Sequence, residues 1–123
     1  MVGLDAVCAA LGGGVFDCTD EYRLQAGCAL LLASRGFEVH REVVLSPADR
    51  IDLLVGQIGI ECKVDGSPSD VVRQCLRYLA SARLAALVLV TGRARVGRML
   101  PPSLLIAGRV KLIRVVETWK GSL

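Results

Sequence analysis

The stretch from Arg50 to Val64 constrains this chain more than any other. Two alternating apolar runs flank the dipeptide Gly56-Gln57, and a two-residue loop with Gly first predicts a hairpin with a type II′ turn. Such a turn sets the register. Val55 faces Ile58, and counting outward brings Asp52 opposite Glu61. Strand alternation then puts Asp52, Glu61 and Lys63 on one face. Ile51, Leu53, Val55, Ile58, Ile60, Cys62 and Val64 take the other, apolar face. Two carboxylates directly across from each other destabilise a sheet. A cation between them removes the conflict, and two carboxylates, a carbonyl and waters suit a hard hydrated ion such as Mg²⁺. Lys63 would stand beside that ion, where it could lower the pKa of a water or stabilise charge developing on a phosphate. The plain alternative is a solvated hairpin face with a surface ion pair.

The period of the apolar pattern places the remaining elements. Leu4 to Leu11 reads as a short helix, broken by Gly12-Gly13-Gly14; without a following Gly-Lys-Ser/Thr, this is a connection rather than a phosphate loop. Thr19 is the expected N-cap of a helix running to Ser34 or Arg35. Asp20 and Glu21 lie in its first turn, Leu24, Cys28, Leu31 and Leu32 form its apolar stripe, and Gly36 ends it. Phe37 to Leu45 reads as a strand before the Ser46-Pro47-Ala48-Asp49 turn. Ser69 is the expected cap of a helix over Asp70 to Ala82 with Val72, Cys75, Leu76 and Leu79 inward. Ala86 to Thr91 is a continuous apolar run of buried-strand type. A basic loop follows over Gly92 to Pro102. Ser103 to Ala107 fits helix or strand equally, and Val110 to Val116 reads as a last strand. The order of helices and strands predicts one α/β domain over residues 1–123 with a mixed sheet.

Five elements in this order resemble the PD-(D/E)XK nuclease superfamily, the restriction-endonuclease-like fold, over roughly residues 19–92. Asp52 after Ile51 is similar to the first motif carboxylate, with Ile51 where Pro often stands. Glu61-Cys62-Lys63 is similar to the (D/E)-x-K motif at the end of the next strand. Glu21 fits the acidic residue of the preceding helix. Gln74 and Tyr78 form Q-x-x-x-Y on the following helix, as in RecB-type nucleases and their small stand-alone relatives. The helix, Gly-Phe, strand and hairpin order also resembles archaeal Holliday-junction resolvases. Departures go with the likeness. Glu21 stands where RecB-type sites often carry His, the cysteine spacing does not match the iron–sulfur versions, and resolvases usually lack the Tyr.

The resemblance implies an αβββαβ core with a mixed central sheet flanked by helices, and Mg²⁺-dependent hydrolysis of DNA phosphodiester bonds. Asp52, Glu61 and the Cys62 carbonyl would hold Mg²⁺, for which Mn²⁺ could substitute. Lys63 would activate the attacking water, and Glu21 would assist through a water or a second ion. Gln74 would orient the water or Lys63, and Tyr78 would contact DNA or brace the site. The alternative function on the same fold is a non-catalytic nucleic-acid-binding or assembly module.

Charge supports an anionic partner. The chain of 123 residues has a formal charge of +3, distributed unevenly. Residues 1–92 carry eight Lys/Arg against eleven Asp/Glu, whereas the basic segment 93–123 carries seven against Glu117 alone. Arg93, Arg95 and Arg98 are the expected contacts to a DNA backbone. Hydrophobic residues make up 53%, enough to exclude general disorder, but no apolar run is long enough to span a bilayer. With no basic leader, the expected location is cytoplasmic. The five cysteines, Cys8, Cys18, Cys28, Cys62 and Cys75, form no C-x-x-C pair, so buried thiols in a reducing compartment are expected. Tyr22 and Trp119 could stack on bases, although lone aromatics usually pack. A small, strongly apolar domain is also expected to form a homodimer.

Overall fold

The Gly56-Gln57 turn closes as its residue types require. Gly56 takes φ +61, the left-handed region that its lack of a Cβ permits, and Gln57 does not. In the computed structural model, which describes residues 3–93 and 109–117, the turn joins β3 (Asp49–Val55) to β4 (Ile58–Cys62). Val55 pairs with Ile58, Leu54 with Gly59 and Leu53 with Ile60, the register expected from the turn.

Around this hairpin the chain is α/β. The element order is α1 (Leu4–Gly12), β1 (Val15–Phe16), α2 (Glu21–Ser34), β2 (His40–Ser46), β3, β4, α3 (Pro68–Leu79), β5 (Ala86–Thr91), β6 (Val110–Arg114) and β7 (Val116–Glu117). The five-stranded sheet runs β2-β3-β4-β5-β6, while β1 and β7 make a separate parallel pair. β2, β3 and β4 are antiparallel neighbours, and β4, β5 and β6 are parallel, so the sheet is mixed. The expected last strand divides in two: at buried Val115, whose N–H donates to the Thr91 carbonyl, the chain leaves β6 and continues into β7.

The helix ends show which local signals prevailed. Asp20, not Thr19, caps α2: its carboxylate accepts from the Arg23 N–H at 2.7 Å. Thr19 instead gives its N–H and hydroxyl to Asp17. At the other end, Gly36 at φ +89 donates to the Ala33 carbonyl and Phe37 to that of Leu32, a Schellman closure. Phe37 therefore belongs to the cap, and β2 begins at His40. Ser67, not Ser69, caps α3, with Pro68 in the first turn, where its missing N–H costs nothing. The inward face is only partly the one expected: Val72 and Leu79 pack partly against the core. Val71, Cys75 and Tyr78 face inward, and Leu76 is 51% exposed.

The sheet has a core on each face. Beneath α1 and α2 lie Leu24, Cys28, Leu32, Leu53, Val55, Ile60, Cys62, Val88 and Val90, among others. Beneath α3 lies a smaller cluster of Ile51, Leu54, Val71, Cys75, Tyr78, Leu84, Leu87 and Leu89. Ile51 is thus on the face opposite to Leu53, contrary to strict alternation. The interruption falls at Asp52; Glu42, which the unchanged register places across from it between the pairs Arg41–Leu53 and Val43–Ile51, takes φ +53. Among the described residues no helix is long and apolar enough to cross a membrane.

Candidate active site

The β3–β4 ladder stops one step short of the acidic pair. Beyond Leu53 and Ile60 the strands no longer bond backbone to backbone there. Carboxylates take over: Asp52 Oδ2 accepts the Cys62 N–H at 2.8 Å, and Glu61 Oε1 accepts the Asp52 N–H at 3.2 Å. Each acidic side chain thus occupies a ladder donor of the other's strand. The exchange keeps the amides satisfied and the hairpin registered while the two carboxylates remain side by side.

Further groups reach this opening from both helices. Lys63 Nζ, on a side chain only 15% exposed, lies 3.6 Å from Glu61 Oε2 and 3.9 Å from Glu21 Oε1. Glu21, in the first turn of α2, also accepts the Val64 N–H at 3.4 Å. From α3, the Tyr78 hydroxyl lies 3.1 Å from both Glu61 Oε2 and the Arg50 carbonyl, and it accepts from Gln74 Nε2 at 2.8 Å. Glu21, Asp52, Glu61, Lys63, Gln74 and Tyr78 therefore form one connected polar network. Gln74 contacts Tyr78, not Lys63, so its geometry is that of a brace. Cys62 supplies its N–H to Asp52 in addition to any use of its carbonyl, and its thiol lies in the α2-side core.

Gln25 belongs to the same network, and the sequence reading missed it. It is 3% exposed on the apolar side of α2. Its Nε2 donates to the Asp52 carbonyl at 2.9 Å, and its Oε1 accepts from Arg41 at 3.4 Å. A polar residue beside Leu24 on the buried stripe was the available signal. Its partner, 27 residues away, was not visible.

Burial governs the electrostatics. Glu61 is 4% exposed, and burial, followed by the charge of Asp52, pushes its carboxyl up from its ordinary 4.5 to about 8. Asp52 is also raised, chiefly by burial. Tyr78 is driven higher by burial and by Glu61, so it stays a phenol. The nearby cysteines are poor nucleophiles: burial lifts Cys75 to about 11, while Cys28 and burial hold Cys62 well above its usual range. All five cysteines are free thiols, and Cys8 is the one that is not buried.

The donor set fits a hard divalent cation. Among the described residues no three His, Cys, Asp or Glu side chains converge to form a complete metal cage. Mg²⁺ does not require one, because it keeps several waters and is typically held by one or two carboxylates plus substrate phosphates. Asp52 and Glu61 offer such a pair, and burial next to a like charge is the conflict that a cation would relieve.

Two hollows differ in character. A cleft of about 280 Å³ opens beside Lys63 and is lined by Asp70, Arg73, Gln74 and Arg77 as well. A larger one, about 450 Å³, adjoins α2 and β1 between Phe16, Gly27, Leu30 and Leu31. It is mostly apolar and includes no member of the network above. Arg93 follows β5, its N–H held by Thr91 Oγ1 at 3.0 Å. Arg95, Arg98 and Trp119 lie outside the described residues, as does the 94–108 segment. Arg109 is engaged structurally, donating to the carbonyls of Leu79, Leu84 and Ala85, so part of the basic excess anchors β6 beside α3.

The bracing role of Tyr78 can be measured. Tyr78→Phe leaves Glu61, the Arg50 carbonyl and Gln74 each one partner short. The expected loss in a urea titration is about 1–3 kcal/mol. Stability equal to wild type would remove Tyr78 from the network's support.

Comparison with protein-family models, with curated proteins and with solved structures finds no match to the chain.

Proposed function

We propose that this chain is a metal-dependent nuclease that hydrolyses DNA phosphodiester bonds on a restriction-endonuclease-like fold. The observation that carries the reading is the open end of the β3–β4 ladder. There the buried Glu61 carboxylate, the half-buried Asp52 carboxylate and a lysine adjoin, held by backbone amides and a tyrosine rather than paired off one to one. A salt bridge kept for stability alone would use one acid and one base; here two acids crowd together, which is costly without a cation.

In this reading Asp52 and Glu61 hold Mg²⁺ or Mn²⁺, with the Cys62 carbonyl as a further oxygen. The ion supplies positive charge at the scissile phosphate and a polarising centre for the attacking water. Lys63 places a second positive charge beside that phosphate and orients the water through its ammonium hydrogens. Glu21 fixes the position of Lys63. Tyr78, braced by Gln74, fixes Glu61, and Gln25 fixes the Asp52 backbone. Arg93, with Arg95 and Arg98, supplies contacts to the phosphate backbone, which give affinity without sequence preference. A homodimer would present two such sites to two strands.

The test is incubation of labelled single-stranded, duplex, flapped and four-way-junction DNA with Mg²⁺, Mn²⁺ or EDTA. Cutting is expected with either metal and none in EDTA. No cutting of any substrate, together with salt-sensitive DNA binding, would replace this reading with a non-catalytic binding module.

A further inference from the structure

Among the described aromatic residues, Tyr22 is the exposed one near this site. The chain has only five aromatic residues. Phe16 and Tyr78 are buried and Phe37 packs against the core, but Tyr22 is 69% exposed. It lies in the first turn of α2, next to Glu21, and contributes little to the core from there.

Its ring is nevertheless held in place. The Arg41 guanidinium sits over it, 5.7 Å from the centroid, within cation–π range. Arg41 in turn donates to Gln25, and Gln25 to the Asp52 carbonyl. A chain of three contacts therefore ties an exposed ring to the backbone of a carboxylate residue at the centre of the site. With Arg41 over one face, the exposure of Tyr22 leaves the other face open. Next to Lys63 opens the cleft lined also by Arg73, Arg77 and Asp70. Arg73 pairs with Asp70 and Arg77 with Asp49, so its three cations face one lining carboxylate and the lining stays net positive for a phosphate.

We infer that the DNA strand entering this site is single, with one unpaired base stacked on Tyr22 beside Arg41 while its backbone runs toward the Lys63–Arg73 cleft. This rests on the nuclease reading and specifies its substrate. An aromatic platform beside a cationic groove is the arrangement that binds single strands without sequence preference, because every base offers a π face. In a duplex both faces of a base are covered by neighbouring pairs. Reaching Tyr22 would then require unstacking, and that cost opposes binding. Stacking on Tyr22 therefore discriminates against intact duplex.

The experiment is binding of a 2-aminopurine-containing single strand, and of the same sequence as duplex, with Ca²⁺ in place of Mg²⁺. A parallel cutting assay uses Mg²⁺. Wild type is expected to quench the single-strand fluorescence. Tyr22→Ala should lose the quench and about 10-fold or more in affinity, and Tyr22→Trp should restore both. The duplex should bind more weakly and be indifferent to Tyr22→Ala. Because Tyr22 is exposed, all three proteins should melt alike. Wild-type affinity and quench in Tyr22→Ala would overturn the platform, as would equal weakening of single strand and duplex. If wild type still cuts DNA in either of those cases, only the platform fails; if it neither binds nor cuts any DNA, the nuclease reading fails with it.

Discussion

Asp52→Asn is expected to abolish metal-dependent cleavage and, above about pH 8 where the folded Glu61 is ionised, to raise the melting temperature of the metal-free protein. The two effects have one origin. The amide oxygen of Asn can still accept the Cys62 N–H, so the hairpin register survives. What disappears is one negative charge beside the buried Glu61 carboxylate, and that charge is part of what pushes Glu61 upward. Removing it relieves repulsion in the fold and removes a ligand from the ion. Lys63→Ala should lower the rate about 10²- to 10³-fold, the usual cost of deleting one electrostatic contact to a transition state. It should not raise stability, because Glu61 loses a compensating charge. Cleavage assays beside thermal melts separate these outcomes. An Asp52→Asn protein that still cuts at the wild-type rate would exclude Asp52 as a ligand, and one that melts lower above about pH 8 would contradict the account of repulsion.

The second large effect is a dependence of stability on pH, set by Glu61. Its carboxyl titrates near 4.5 when free and at about 8 in the folded chain. The folded state therefore retains a proton that the unfolded state has released over this interval. The resulting stabilisation is complete below about pH 4.5 and is lost as pH rises through 8. At one pKa unit per 1.36 kcal/mol, the range is on the order of 3–5 kcal/mol. Asp52 shifts in the same direction and adds to the slope. The metal-free protein should melt lower at about pH 8.5 than at about pH 5.5, and Glu61→Gln should flatten the curve. Added Mg²⁺ should reverse the trend, because a cation replaces the proton and its stabilisation grows as deprotonation becomes easier. A metal-free melting temperature that climbs between about pH 5.5 and 8.5 would refute the assignment.

The hairpin was the most legible part of the chain, because a two-residue turn beginning with Gly leaves one register and alternation does the rest. From that register the facing of Asp52 and Glu61 could be read. Lys63 followed from the same alternation, Glu21, Gln74 and Tyr78 from resemblance rather than from spacing, and the structure brings all of them into one network. Caps were harder: Thr19 and Asp20, or Ser67 and Ser69, are chemically interchangeable as signals, and Asp17 and Pro68 decided between them. The side taken by Ile51 depended on a break in alternation at Asp52, which lies in the long-range exchange of amides with β4. Gln25 was hidden for a similar reason. Its position marks a polar residue on an apolar stripe, while its meaning lies in a carbonyl on another element.

Among the described residues, the two faces of the sheet are unequally anchored. The α2 side rests on the larger cluster, whereas α3 is held by Val71, Cys75 and Tyr78 over a smaller one. Local opening of a protein follows its sparsest contacts. Here the thinner layer carries Tyr78 and Gln74, so a transient lifting of α3 would admit water to Glu61 and release its brace while the hairpin and α2 remain folded. Opening of the network and loss of the fold would then be separate events, with α3 as the latch between them.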